Sequence, residues 1–211
     1  MPIVSCHSMV LESPFTDIID TDTVDSKKSL HFLLATIGRP SLQRMLDSLL
    51  PQLTRHDYLT IVFDGPQSYL QSLVIKTHAT VEIIIEPKNL GYWGHGIRNK
   101  HNVLLGDFIL HCDDDDIYTP GSVDIIRKIC QKPDTLYIFK IQLSDKSIIP
   151  VDHVIRMANI STQSGVIPGQ LNSKSHWGEY YGGDFEFYWK VGNVVDHVVW
   201  VDWVIYQMRP Q

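Results

Sequence analysis

Between Leu30 and Leu143, short apolar runs alternate with stretches whose apolar positions recur at helical spacing. LHFLLAT (30–36), YLTIVFD (58–64), VEIIIE (81–86), DFILHCD (107–113) and LYIFKIQL (136–143) each have the length and content of a buried strand. After the first run, Leu42, Met45, Leu46, Leu49 and Leu50 fall three and four apart, which predicts a helix with Ser41 as its N-cap. QSYLQSLVIK (67–76) reads as a second helix, and a third is expected to run to Asn102. Thr119 and Pro120 open a fourth, with Val123, Ile126 and Ile129 on one side. Such alternation predicts an α/β fold with a mainly parallel central sheet flanked by helices, whose ligands sit beyond the carboxyl ends of the strands.

Residues 1–28 lack this pattern: they are polar and acidic, and read as a leader before a single domain over 29–211. Within the domain the pattern changes near Pro150, so 29–145 and 146–211 are expected to form two halves. The second half is rich in Gly, Asn and Ser. It packs Trp177, Tyr180, Tyr181, Phe185, Phe187, Tyr188 and Trp189 into thirteen positions, enough to build a pocket wall. VVDHVVWVDWVIY (194–206) comes nearest to a membrane span, but Asp196, His197 and Asp202 interrupt it, so no span is expected.

Over 211 residues, 44% are apolar and 20% charged, which is globular composition and excludes disorder over most of the length. The net charge of −6 repels phosphate backbones and argues against nucleic acid as a partner. Nineteen of the 24 acidic residues are Asp, the carboxylate favoured at turns and oxygen-ligand sites. Cys6, Cys112 and Cys130 are an odd set without CxxC spacing, which indicates no disulfide framework or zinc ribbon and suits a reducing, cytoplasmic location.

Four aspartates, Asp113 to Asp116, directly follow the strand FILHC, at a carboxyl end where a ligand is expected. Four adjacent carboxylates are costly without a cation, and oxygen donors suit Mn²⁺ or Mg²⁺; magnesium takes one or two protein carboxylates and completes its shell with water and phosphates. The plain alternative is a solvated acidic turn, or a helix cap by Asp116. Thr36, Gly38 and Arg39 end the first strand with a hydroxyl, a flexible residue and a guanidinium fork able to meet phosphates. Asp64 ends the second strand before Gly65-Pro66, where it can accept from a base N–H or a ribose hydroxyl, or merely cap a turn.

The segment from Asn89 to Asn99, NLGYWGHGIRN, has three glycines and the donors Asn89 and Arg98 ahead of a helix. It has the freedom to wrap a phosphorylated ligand, yet it matches neither a Walker loop nor the dinucleotide GxGxxG. Trp93 can face a sugar ring or simply pack. Cys112 reads as a buried strand residue rather than a soft-metal ligand.

ATIGRP, FDGP, NLGYWGHGIRNK and GDFILHCDDDDIYTP, in this order, resemble the inverting family 2 glycosyltransferases and relatives of the GT-A fold. The match covers about residues 30 to 135. It implies a Rossmann-like GT-A domain in which 29–145 binds a nucleotide sugar and 146–211 lies on the acceptor side. The resemblance assigns Thr36, Arg39 and Asp64 to the nucleoside, with Gly38 and Asn89 beside them, and Arg98 to the sugar or phosphates. DDDD followed by Pro120 matches the family's acidic motif and maps its two carboxylates to Asp113 and Asp115. Asp115 would hold the metal directly. Asp113 would face ribose, a metal-bound water or the metal, while Asp114 belongs to the nucleotide-sugar site but matters less for the cation.

The family's catalytic base lies on a downstream acidic loop, which GGDFEF resembles, with Gly183 where Glu is common; the base is then Asp184 or Glu186. His176 and Trp177, just before it, are candidates to touch the sugar or acceptor. His197 is open as a further metal ligand, since some members take one from near the C-terminus. Compact size and the acidic leader further resemble enzymes of large viruses of green algae, the chloroviruses, which glycosylate capsid protein in host cytoplasm. The implied reaction moves a hexose or deoxyhexose from a UDP-sugar to a hydroxyl of a glycan or glycoprotein. The alternatives are a sugar nucleotidyltransferase, which would be expected to carry a more basic loop after its first strand, and a non-catalytic calcium-dependent carbohydrate-binding module.

Overall fold

The computed structural model describes residues 9–10, 28–66 and 73–210. Most of the acidic leader therefore lies outside the described residues. Strands β1 (Met9–Val10), β2 (Leu30–Thr36), β3 (Tyr58–Phe63), β4 (Thr80–Ile85), β5 (Phe108–Asp113), β6 (Ile117–Tyr118), β7 (Thr135–Gln142), β8 (Ile148–Ile149), β9 (Gly165–Pro168) and β10 (His197–Gln207) form one sheet. Its order is β1-β4-β3-β2-β5-β9-β7-β10-β6, with β8 on β7. β4, β3, β2 and β5 run parallel, as does the pair β7 and β10. β9 is antiparallel to both β5 and β7 and joins the two groups.

The helices are α1 (Leu42–Leu49), α2 (His95–Lys100), α3 (Ser122–Ile129), α4 (Gly169–Asn172) and α5 (Gly183–Gly192). Alternation along β2 explains their placement. Leu30, Phe32 and Leu34 join the core with Leu42, Met45, Leu46 and Leu49 of α1 and Val123 and Ile126 of α3. Leu33 and Ala35 point the other way, onto Ile97 of α2. On that second face α5 packs Phe187, Tyr188 and Val191 against Leu136, Ile138 and Ile167. With side chains covered on both faces, the parallel strands read as continuous apolar runs.

Three local expectations are corrected. The helix over 67–76 is absent at Leu73–Lys76, which have no regular structure, while 67–72 lie outside the described residues. Leu73 and Ile75 pack on the core and Val74 is exposed, an extended period of two rather than a helical one. Gln43 pairs its side-chain amide with both the N–H and the carbonyl of Val74, at 2.9 and 3.0 Å. Ser41 makes no side-chain cap and already has helical φ/ψ; the Arg39 carbonyl accepts from the Leu42 N–H at 3.0 Å instead. GGDFEF is no loop, because α5 begins at Gly183. Among the described residues, no helix is long and apolar enough to cross a membrane, and 197–207 is a strand.

Candidate functional site

The carboxyl ends of β2, β3 and β5 open onto a cleft of about 260 Å³. Thr36, Arg39, Asp64, Asn89, Trp93, Asp113 and Asp115 line it, together with Gly91, Gly94, Ile97 and Arg209. Seven residues singled out in the sequence thus meet at one place.

The four aspartates divide by alternation. Asp113 and Asp115 keep 28% and 20% of their side chains exposed and line the cleft, whereas Asp114 and Asp116 are 0% and 1% exposed. Asp114 accepts from the Thr36 hydroxyl at 2.5 Å, from the Ile37 N–H at 3.3 Å and from the Arg39 guanidinium. Both of its oxygens, expected to meet the nucleotide sugar, are engaged by the first loop and shielded. Gly38 sits in this loop with its N–H on the Thr36 oxygen at 2.8 Å. Asp116 accepts from the Arg209 N–H at 2.8 Å and from Gln163 at 3.2 Å; burial, then the nearby Asp113 charge, raises its pKa to about 8.

Asp64 is equally engaged. Its carboxylate accepts from the Leu90 and Gly91 N–H groups at 2.5 and 3.0 Å, so it pins the Gly-rich segment to the end of β3 while still lining the cleft. Asn89 donates to the Asp64 carbonyl at 3.4 Å. The segment then turns through four left-handed residues, Gly91, Tyr92, Trp93 and Gly94, with φ of 71°, 56°, 54° and 84°. A side chain raises the energy of that region, and such residues persist where the surroundings over-determine them. Here Arg98 donates to the Trp93 carbonyl at 3.1 Å, and a Cβ on Gly94 would come 2.6 Å from the same guanidinium. The turn leaves the Trp93 side chain outward, 65% exposed, edge-on to Tyr181 at 5.8 Å.

Arg98, expected to contact sugar or phosphates, is fully buried in this structure. Its guanidinium holds Asp113 and the Cys112 carbonyl, and lies 5.3 Å from the Trp177 ring centroid. Gln163 donates to the other Asp113 oxygen at 2.6 Å. Arg98 is therefore a fixed brace behind the cleft.

α5 enters from the second half. His95 of α2 bonds the Gly178 carbonyl at 2.7 Å, and Asn99 exchanges bonds of 2.8 and 3.0 Å with the Trp177 backbone. This clamps the segment ahead of α5 against the cleft. A Cβ on Gly183 would come 2.2 Å from the Gly178 oxygen, so the family's Glu has no room here. Asp184 and Glu186 lie two residues apart in the first turn, about 200° round the helix. Asp184 is half-buried; burial raises its pKa, against which its helix N–H bonds and the Arg98 charge act, and Asp113 adds to the rise. Glu186 bonds Lys190 at 2.5 Å and Tyr180 at 2.8 Å, and these bonds lower its pKa.

Trp177, expected as a contact to sugar or acceptor, lies in the core. It is 1% exposed and stacks on Phe187 at 4.1 Å, with His111 and Tyr188 edge-on. His176 is exposed, its Nε2 3.4 Å from the Asn99 amide. His197 pairs with Thr135 at the start of β7, while the other end of β10 reaches the aspartates, so His197 lies at the wrong sheet edge for the cleft. Cys112 is buried, which raises its pKa to about 12, as for an inert core thiol.

Among the described residues, no group of three or more His, Cys, Asp or Glu side chains forms a metal cage. A cation of the magnesium type needs only one or two carboxylates besides phosphates and water, and the two half-exposed oxygen donors, Asp113 and Asp115, fit that demand. Two residues that hold the aspartates were not foreseen, Arg209 on the cleft wall and Gln163 buried behind it. Gln163 and Arg209 reach the aspartates from 47 to 94 positions away, and no local pattern marks them.

No family model and no curated protein matches the sequence. Solved structures do match in shape. S. aureus TarS 1-349 in complex with UDP-GlcNAc superposes with a TM-score of 0.67 at 14% identity, over 87% of this chain and 59% of that one. The mannosyltransferase PcManGT from Pyrobaculum calidifontis, in complex with GDP-Man and Mn²⁺, gives 0.62 at 10% identity, over 89% and 59%. HddC from Yersinia pseudotuberculosis gives 0.52 at 14%, over 85% and 92%. The chain spans about three fifths of TarS 1-349 and of PcManGT. At these identities the likeness is one of fold, and that fold is the α/β, mostly parallel-sheet architecture found in glycosyltransferases.

Proposed function

We propose that this chain is a GT-A-type glycosyltransferase that moves a sugar from a nucleoside diphosphate sugar, a UDP-sugar by preference, to a hydroxyl of a glycan or glycoprotein. One observation carries the reading: two oxygen donors, Asp113 and Asp115, line a cleft at the carboxyl ends of the parallel strands, and the Asp113 and Arg98 charges act on Asp184, a partly buried carboxylate of raised proton affinity. The UDP, UDP-GlcNAc and GDP-Man complexes of proteins sharing the fold support it. The resemblance to algal-virus enzymes, and with it a capsid acceptor in host cytoplasm, draws no support from them. The buried free thiols Cys112 and Cys130 suit a reducing cytoplasm.

In this reading the Thr36–Arg39 loop and the Asp64–Gly91 turn hold the nucleoside, and Trp93 covers the sugar. Asp113 and Asp115 would hold Mn²⁺ or Mg²⁺, which supplies charge neutralisation for the departing diphosphate. Asp184 accepts the acceptor's proton as its oxygen bonds to the anomeric carbon; the bond from that carbon to the phosphate oxygen breaks, and the diphosphate leaves with the electron pair. Glu186, held by Lys190 and Tyr180, is the poorer base.

Thermal shift with UDP-GlcNAc, GDP-Man, CTP and free sugars, each without metal, with Mn²⁺ and with Ca²⁺, tests the class. Stabilisation is expected only from a nucleoside diphosphate sugar with metal. A response to CTP alone would favour a nucleotidyltransferase, and one to free sugar with Ca²⁺ a binding module. Asp184→Asn is expected to slow transfer by about 10²- to 10⁴-fold with donor affinity intact. A slow Glu186→Gln beside a normal Asp184→Asn would move the base by two residues.

A further inference from the structure

Arg209 lies two residues beyond β10, at φ 43°, and its side chain is 67% exposed on the wall of the cleft. Its N–H is fixed on Asp116 at 2.8 Å. Arg44 of α1 braces the same tail, donating to the Pro210 carbonyl at 2.9 Å and to the Asp115 carbonyl at 3.2 Å. The backbone is thus anchored, while among the described residues the guanidinium makes a single bond, Nε to Asp115 Oδ2 at 3.1 Å.

The other arginines at the site are committed elsewhere. Arg98 is buried on Asp113, and Arg39 bonds the buried Asp114, standing 3.8 Å from Asp115. Arg209, whose charge also reaches the buried Asp116, makes its one ion pair among the described residues with a cleft carboxylate that a divalent cation would also use. A doubly charged ion beside Asp115 repels the guanidinium, and a diphosphate entering next to that ion attracts it.

We propose that Arg209 is a diphosphate-binding residue that exchanges partners: a divalent cation displaces its guanidinium from Asp115, and the released guanidinium pairs with the diphosphate beside Arg39. This rests on the glycosyltransferase reading for the identity of the diphosphate, but the exchange itself concerns only a cation, a phosphate anion and this chain. It gives Arg209 opposite effects on the two ligands. A residue that merely braced the tail would help both.

The test is calorimetric titration of wild type, Arg209→Ala and Arg209→Gln with Mn²⁺ alone, then with pyrophosphate and with UDP in the presence of saturating Mn²⁺. Both variants retain the backbone bond to Asp116. Removing a competing cation is expected to tighten Mn²⁺ alone by about threefold or more, while loss of a charge-assisted fork weakens pyrophosphate and UDP by about tenfold or more. Arg209→Lys is expected to recover part of the anion affinity, since it keeps the charge without the fork. Mn²⁺ binding that is weaker or unchanged in the variants, or anion binding that is unchanged, would overturn the exchange and leave the glycosyltransferase reading standing. A wild-type chain that binds Mn²⁺ and pyrophosphate but neither UDP nor any nucleotide sugar would overturn that reading and leave the exchange to be decided by the first two titrations. Failure of wild type to bind Mn²⁺ or pyrophosphate overturns both.

Discussion

Asp114 and Asp115 are chemically identical neighbours with separate tasks. Asp114 is the sole shared anchor of the Thr36 hydroxyl, the Ile37 N–H and the Arg39 guanidinium. Asp114→Ala strips these groups of their acceptor and is expected to cost about 1–3 kcal/mol in urea unfolding, with nucleotide affinity lost through the distorted loop. Asp115→Ala, at a half-exposed site, is expected to unfold like wild type and to lose Mn²⁺ affinity at least tenfold. Equal stability of the two variants would erase the division. The sequence placed the aspartates at a strand end; the expectation that Asp114 matters less than Asp115 for the cation is what these variants decide, and the part of Asp114 in building the first loop was not anticipated. Burial was not legible there, because it depends on a first loop 75 to 78 positions upstream.

At the scale of elements, the strands were legible and the joints between them were not. β2, β3, β4, β5 and β7 lie within a residue or two of their expected ends, because apolar runs covered on both faces leave little ambiguity. Leu73–Lys76 deceived because Leu73, Val74 and Ile75 are apolar in a row, so packing alone decides between extended and helical. A buried joint shows how elements are tied. Asp57, 0% exposed, accepts from the Leu30 N–H at the start of β2, from the Thr54 N–H and hydroxyl before β3, and from both ends of the Arg127 fork on α3, at 2.7 to 3.1 Å. Asp57→Ala leaves the buried Arg127 charge unpaired and is expected to cost about 3–5 kcal/mol, seen as a lower urea midpoint at unchanged slope. A loss below 1 kcal/mol would mean that water replaces the carboxylate.

For the whole molecule, the α/β, mainly parallel character was readable from the alternation, but not the strand order. β9 has only four residues, GVIP, too short to stand out, yet it joins the two parallel groups. Stability of the whole carries a histidine signature. Burial lowers the pKa of His31 to about 4 and that of His111 to about 3, against 6.5 when unfolded. His31 is held neutral, with one ring nitrogen on the Leu105 carbonyl and the other on the Thr60 hydroxyl, at 3.0 and 2.8 Å. The unfolded chain thus binds more protons below 6.5. Stability is complete above that pH and is lost as pH falls toward 4 for His31 and 3 for His111, by up to about 1.4 kcal/mol per pH unit for each. His31→Asn is expected to be less stable at pH 7.5 yet to fall less steeply between pH 6.5 and 4 in thermal unfolding; an identical slope would show that His31 does not titrate with folding.

The alternation of the four aspartates behaves as a reading frame. Asp113 and Asp115 are spelled into the cleft, Asp114 and Asp116 into the interior, and the frame is set at one end by β5 and at the other by the pairing of Ile117 and Tyr118 with β10. Deleting one aspartate would leave three in a row and a motif that any pattern search still accepts. The letters after the deletion would nevertheless be out of phase, offering the interior's carboxylate to the cleft and the cleft's to the interior. Inserting a fifth would do the same, so this motif is conveyed by its phase and not by its acid count.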